Sequence, residues 1–208
     1  TLLNFLATMG WSDPQGREIF PLSDLIKNFS LERVGGAGPI FNLEKLDWMN
    51  GEYLRQKNLQ ELLKLACEWA QYTEFKIRTH DEDYLLKILA LVQERMKKLS
   101  EFPELTDFFF LKPAVDLDLL AAGKGKAQVK TELAASFEAL KGVSWKAESL
   151  EKTIRQVAKD LKIKESDLFM TLRIALTGKT ATPPLFETME ILGKEEILVR
   201  LEKNLGGL

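Results

Sequence analysis

The chain has 208 residues, 45% of them hydrophobic, and its 29 Lys plus Arg nearly cancel 31 Asp plus Glu to leave a net charge of −2. That is the balance of an ordinary globular protein; it carries no global basic footprint, so any polyanion contact has to be local. One cysteine and one histidine exclude an intramolecular disulfide and leave no surplus for a zinc site or a Cys/His catalytic pair, and with no bilayer-length apolar run or export leader they point to a soluble, unexported protein of the reducing cytoplasm.

Residues 1–11, Thr1-Leu2-Leu3-Asn4-Phe5-Leu6-Ala7-Thr8-Met9-Gly10-Trp11, open inside an apolar-periodic segment with no start methionine and no leading cap, as a cut through a longer protein would. Helical periodicity then dominates, and the spacing predicts helices over 21–29, 42–55, 58–71, 81–99, 126–141, 146–161, 166–177, 184–192 and 194–204. Asn58 followed by Glu61 has the pattern of a capping box, Asp81 can cap the long helix after it, and Gly178 suits the left-handed position that closes a helix. Cys67 lies in Leu62-Leu63-Lys64-Leu65-Ala66-Cys67, the buried face of a helix. Turn chemistry marks Asp13-Pro14-Gln15-Gly16, Gly35-Gly36-Ala37-Gly38-Pro39 and Gly123-Lys124-Gly125, the last two as joints. The expected architecture is all-α, a multi-helix bundle in subdomains 1–57, 58–115 and 116–208.

Catalytic constellations are missing. There is no phosphate-cradling Gly-rich loop leading into Lys-Ser or Lys-Thr, no G-x-S-x-G elbow and no H-E-x-x-H pair, and His80 precedes a polar helix start as a solvated loop histidine would. The residues describe a binding module. On a helix over 81–99, Tyr84, Leu85, Ile88, Leu89, Leu91, Val92, Met96 and Leu99 share one apolar arc, and Arg95 falls inside it. A guanidinium so placed snorkels, finds a carboxylate or serves a ligand. Lys152, Arg155, Lys159, Lys162 and Lys164 form a basic run, which is either a solvated face or a phosphate contact. Beyond Arg173 comes a proline-stiffened loop, Gly178-Lys179-Thr180-Ala181-Thr182-Pro183-Pro184-Leu185-Phe186, of the kind that holds unstacked bases.

Several of these segments resemble one family. Phe41-Asn42-Leu43-Glu44-Lys45-Leu46-Asp47-Trp48-Met49-Asn50-Gly51-Glu52-Tyr53-Leu54-Arg55, with Gly10-Trp11-Ser12 and Gly16-Arg17-Glu18-Ile19-Phe20 ahead of it, is similar to the stretch by which bacterial glutamyl-tRNA synthetases run from their catalytic half toward the anticodon. Glu94-Arg95-Met96-Lys97-Lys98-Leu99, Leu172-Arg173-Ile174-Ala175-Leu176-Thr177-Gly178 and Pro184-Leu185-Phe186-Glu187 match in the same order, whereas residues 111–130 and 179–181 depart from the pattern.

The resemblance implies an α-helical cage that grips the anticodon loop of tRNA(Glu). It implies that Arg95 reads the first anticodon base with a preference for C, that Arg173, Thr182, Pro183 and Leu185 lie where the other bases are held, that Trp48 is near the stem and loop contact region, and that Lys179 is a tRNA contact. Trp48 fits a core position as well as a stem contact. The family's H-I-G-H-like and K-M-S-K-S-like motifs are absent, so ATP and Mg belong to the catalytic part of the parent enzyme and this stretch is expected to hold no cofactor or metal and to act as a monomer. The rival reading is a helical protein-protein scaffold with no RNA role.

Overall fold

The computed structural model describes residues 1–36, 38, 40–75, 77 and 80–208. Among them it contains twelve α-helices and no strand beyond a single bridge between Trp11 and Val34, so the protein is all-α. The helices are α1 (Leu2–Gly10), α2 (Leu22–Asn28), α3 (Leu43–Arg55), α4 (Leu59–Ala70), α5 (Glu82–Val92), α6 (Phe102–Phe110), α7 (Leu117–Ala121), α8 (Lys126–Leu140), α9 (Ala147–Asp160), α10 (Glu165–Thr177), α11 (Leu185–Leu192) and α12 (Lys194–Gly207). None of them is long and apolar enough to cross a membrane. They form two compact units, one of residues 1–76 and 93–102, the other of residues 77–92 and 103–208.

In the first unit the sequence dictates the helix starts. Asn42 accepts from the Lys45 amide at 3.0 Å and Asn58 from the Glu61 amide at 2.9 Å, each satisfying one of the orphan donors that open a helix. Phe5, Trp11, Phe20, Met49, Leu54 and Leu62 are buried, with Trp11 edge-on to Phe20 at 5.7 Å. Buried Asn4 ties this aromatic core together, accepting from the Phe20 amide at 3.2 Å and the Tyr53 hydroxyl at 2.7 Å. The Asp13 turn is locked by Arg17, whose Nε sits 3.0 Å from Asp13 and whose Nη1 sits 2.8 Å from Asp24; that guanidinium holds the Asp13 carboxyl below its usual range. Leu2, Leu3, Ile26, Leu31 and Ile40 are exposed, giving this unit an apolar surface. The glycine-rich joint expected at residues 35–39 includes Ala37 and Pro39, which lie outside the described residues.

The second unit packs α7 to α12 around Leu133, Leu140, Leu150, Ile154, Leu172 and Leu201, all fully buried. Glu132, 1% exposed, would be costly there without partners; it accepts from Lys124 at 3.0 Å and Thr171 at 2.6 Å, and so fastens the Gly123–Gly125 turn to α10. The segment 112–125 belongs wholly to this unit. Arg200, nearly buried, donates to the Leu176 carbonyl at 2.6 Å and the Phe108 carbonyl at 2.8 Å, placing a cation at the C-terminal ends of α10 and α6.

Three departures from the sequence reading matter. The helix expected over 81–99 ends at Val92, so the 3.6-residue period that put Arg95 on an apolar arc does not extend to it. Residues 102–110 form α6, with Pro103 in its first turn, where a missing N–H costs nothing. Cys67 is half-buried rather than fully packed.

Candidate nucleic-acid interface

In the first unit, a turn at Gln93–Arg95 leaves α5 and the chain returns along α3. Arg95 is exposed at its tip, and the residues beside it are anchored. The Gln93 amide donates to the carbonyls of Leu54 at 2.9 Å and Lys57 at 2.8 Å, with a longer contact to Arg55 at 3.4 Å. Met96 is fully buried. Asn50 donates to the Lys97 carbonyl at 2.7 Å, and Lys98 pairs with Asp47 at 2.9 Å, a bond that raises the lysine's pKa. Gly51 permits the approach, because a Cβ there would lie 3.4 Å from the Lys97 Cα and 3.2 Å from an Arg55 guanidinium nitrogen. Arg95 thus brings a planar guanidinium to the surface of an anchored turn. Trp48 lies on α3 and is 39% exposed, so the core alternative for it does not hold.

In the second unit the loop after α10 is pinned from below. Gly178 closes the helix in the left-handed region at φ 73° and ψ 6°, its amide donating to the Ile174 carbonyl at 2.8 Å. A side chain at this position would meet the Ala114 carbonyl oxygen at 2.9 Å. Arg173 sends Nη1 to the Thr182 hydroxyl, to the Thr182 carbonyl at 3.3 Å and to the Pro183 carbonyl at 3.0 Å. Lys179 reaches Asp107 at 2.7 Å and the Glu104 carbonyl, with its ammonium 5.9 Å from the Phe108 ring centre.

Of the residues that the resemblance assigned to bases, Thr182, Pro183 and Leu185 are therefore buried, Leu185 at 4% exposure inside the helical core. The surface of the loop is made by Thr180, Ala181 and Pro184, which are exposed and which the sequence reading took in with the loop but did not name as base contacts. Their exposure depends on contacts nine or ten residues apart through Arg173, so no local pattern carries the signal.

The basic run divides in two. Arg155 is committed to Glu151 at 2.6 Å and to Glu165, with its guanidinium 5.3 Å from the Phe169 ring centre. Lys152, Lys159, Lys162 and Lys164 are exposed and form no ion pair among the described residues. Lys152 and Lys159, seven residues apart on α9, point the same way to within about 20°. Lys162 terminates α9 in the left-handed region at φ 57°, where glycine is usual; its amide donates to the Lys159 carbonyl, and that of Ile163 to the Ala158 carbonyl, both at 3.0 Å.

Comparison with known proteins follows the same lines. A glutamate–tRNA ligase from Fervidobacterium nodosum is 41% identical over 96% of this chain, which covers 40% of that protein. One from Symbiobacterium thermophilum is 35% identical over 96% of the chain and 43% of its own length, so the chain spans about two fifths of these relatives. The crystal structure of a glutamate tRNA ligase from Elizabethkingia meningosepticum, in complex with its amino acid, superposes with a TM-score of 0.86 at 26% identity, covering 100% of this chain and 41% of that one. A family profile described as an anticodon binding domain matches residues 61–205, well over half of the sequence, and on that match the chain belongs to the anticodon-binding domain family.

Proposed function

We propose that this chain is the tRNA-recognising part of a glutamate–tRNA ligase and that it reads the anticodon loop of tRNA(Glu). The observation that carries the reading is the family match over residues 61–205, a span that contains both the Arg95 turn and the pinned loop after α10. Arg95 reads the first anticodon base. A cytosine, once unstacked, presents O2 and N3 as paired acceptors that suit the guanidinium fork, whereas uracil offers a donor at N3; good bidentate pairs discriminate by roughly 1–3 kcal/mol in DNA. Thr180, Ala181 and Pro184 form the surface for the remaining bases, and Arg173, Thr182, Pro183 and Leu185 hold that surface in shape. Trp48 and Lys179 are further tRNA contacts, and Lys152, Lys159, Lys162 and Lys164 neutralise phosphates.

The glutamate-activating chemistry, with its ATP and Mg, belongs to the remaining three fifths of such an enzyme, which works in the cytoplasm; the chain acts as a monomer. The test is a titration of the purified chain with anticodon-stem hairpins of tRNA(Glu) across a salt series. Binding that weakens steeply with salt, with a log-log slope of about −0.7 per phosphate contacted in a single strand, supports the reading. A flat salt response removes the lysines from it, and no binding overturns it. The exposed apolar surface of Leu2, Leu3, Ile26, Leu31 and Ile40 favours a protein-docking role as the second reading. Purified chain free of tRNA that also ignores the hairpins would favour it.

A further inference from the structure

We infer that Gln93 is a positioning residue for base discrimination: by bonding to the end of α3 it fixes the turn from which Arg95 projects. The inference rests on the proposed role of Arg95 as base reader.

The argument begins with helix ends. The last carbonyls of a helix lack the usual partners four residues on, and α3 ends at Arg55 without a glycine in the left-handed position; the Gln56 amide donates to the Glu52 carbonyl and the Lys57 amide to the Leu54 carbonyl, both at 3.2 Å. Gln93 adds a long-range tie to this local closure, on the second lone pair of the Leu54 carbonyl and on the Lys57 carbonyl beyond the helix. Its amide nitrogen has two hydrogens, and its two short bonds go to the carbonyls of Leu54 and Lys57, 39 and 36 residues earlier in the chain. One side chain therefore ties the end of α3 to the start of the turn, and α5 stops one residue before it. On the far side of Arg95, buried Met96 and the 2.7 Å bond from Asn50 to the Lys97 carbonyl fix the exit. An exposed arginine thus stands between a hydrogen-bonded anchor two residues before it and an apolar anchor one residue after it. Bidentate reading requires such a base, because a fork that sweeps through several orientations forms both bonds to every pyrimidine poorly, while its charge attracts them all equally.

Loss of the Gln93 amide should therefore reduce discrimination and leave charge-driven affinity in place. The experiment compares wild type, Gln93→Leu, Asn50→Ala and Arg95→Gln on tRNA(Glu) anticodon hairpins carrying C or U at the first anticodon position, at two salt concentrations, with a urea unfolding curve for each variant. Asn50→Ala loosens the exit of the turn, at the further loss of the bond from the Thr1 hydroxyl at 2.8 Å, and keeps the test open where Gln93→Leu unfolds. In the wild type the preference for C is at least about fivefold, the lower bound for a bidentate contact. In Gln93→Leu it falls to within about twofold, the salt slope is unchanged, and Asn50→Ala gives an intermediate ratio. A preference unchanged in Gln93→Leu and Asn50→Ala, while Arg95→Gln abolishes it, overturns the positioning role and leaves the reader role standing. A preference unchanged in Arg95→Gln overturns both. Unfolding midpoints that drop with no change in the C-to-U ratio show Gln93 to be structural only, which also overturns the inference.

Discussion

Alanine in place of Gly178 probes the loop that the proposed RNA surface depends on, and the structure supplies a control for it. Gly178 has φ 73° and Gly123 has φ 75°, and both lie in the second unit. A Cβ at Gly123 meets nothing within 4 Å, whereas at Gly178 it meets the Ala114 carbonyl oxygen at 2.9 Å and the Pro113 Cβ at 3.5 Å. The left-handed conformation costs a residue bearing a Cβ about 1–2 kcal/mol, and the smaller conformational freedom of the unfolded chain returns about 0.4–1 kcal/mol. Gly123→Ala should therefore destabilise by about 1 kcal/mol. Gly178→Ala adds the crowding of a backbone oxygen that cannot rotate away, typically about 1–3 kcal/mol, for a total of about 2–4 kcal/mol. In urea, with an m-value of about 2 kcal/mol per molar, the midpoints of the two variants should differ by roughly 0.5–1.5 M at unchanged slope. Hairpin binding should weaken only in Gly178→Ala, because the displaced loop carries Thr180, Ala181 and Pro184. Equal midpoints for the two variants would refute the reasoning, since the Ala114 contact would then cost nothing.

Other substitutions test separate parts of the account. Lys162→Gly removes a left-handed lysine and should stabilise by about 0.5–1 kcal/mol in a urea titration, while lowering the salt slope of hairpin binding by about 0.7 if that lysine meets a phosphate. Glu132→Leu leaves the Lys124 ammonium without its carboxylate in a largely buried setting and should cost toward the lower end of about 3–5 kcal/mol by chemical unfolding; a loss under about 1 kcal/mol would show that the pair does not hold the 123–125 turn. Glu190 accepts from the Ala147 amide at 2.7 Å and pairs with Lys146 at 3.0 Å, and these contacts hold its carboxyl below the ordinary glutamate value of 4.5. Because the folded state releases this proton at lower pH than the unfolded state, its contribution is present above pH 4.5 and is lost as pH falls through the folded-state value. Glu190→Gln should thus be less stable than wild type at neutral pH, and the gap in thermal midpoint should close on acidification. A gap independent of pH would contradict it.

Most helices from Asn42 onward, α6 and α7 excepted, were legible because their starts rest on local chemistry, as at Asn58 and Glu61, and their stops on glycines such as Gly178. The end of α5 was not. Leu91, Val92, Met96 and Leu99 keep helical spacing, yet Gln93 leaves the period to bond carbonyls 36 and 39 residues away, which a periodicity argument cannot see. The same blindness hid α6, Phe102–Phe110, for which the periodicity predicted no helix. At the candidate site, the residues named from sequence divide into exposed and buried ones, a division that the sequence did not show. Arg95 is prominent through its turn and not through an apolar arc, and Thr182, Pro183 and Leu185 support a surface formed by the neighbours they anchor.

The central claim is that Arg95 reads a base. The measurement that tests it most directly is the ratio of dissociation constants for hairpins with U and with C at the first anticodon position, taken for wild type and Arg95→Gln in the same buffer. The account predicts a ratio of at least about five for wild type, collapsing toward one in the variant chiefly through weaker binding of the C hairpin. A ratio near one in the wild type, or an equal loss for both hairpins in the variant, would contradict it.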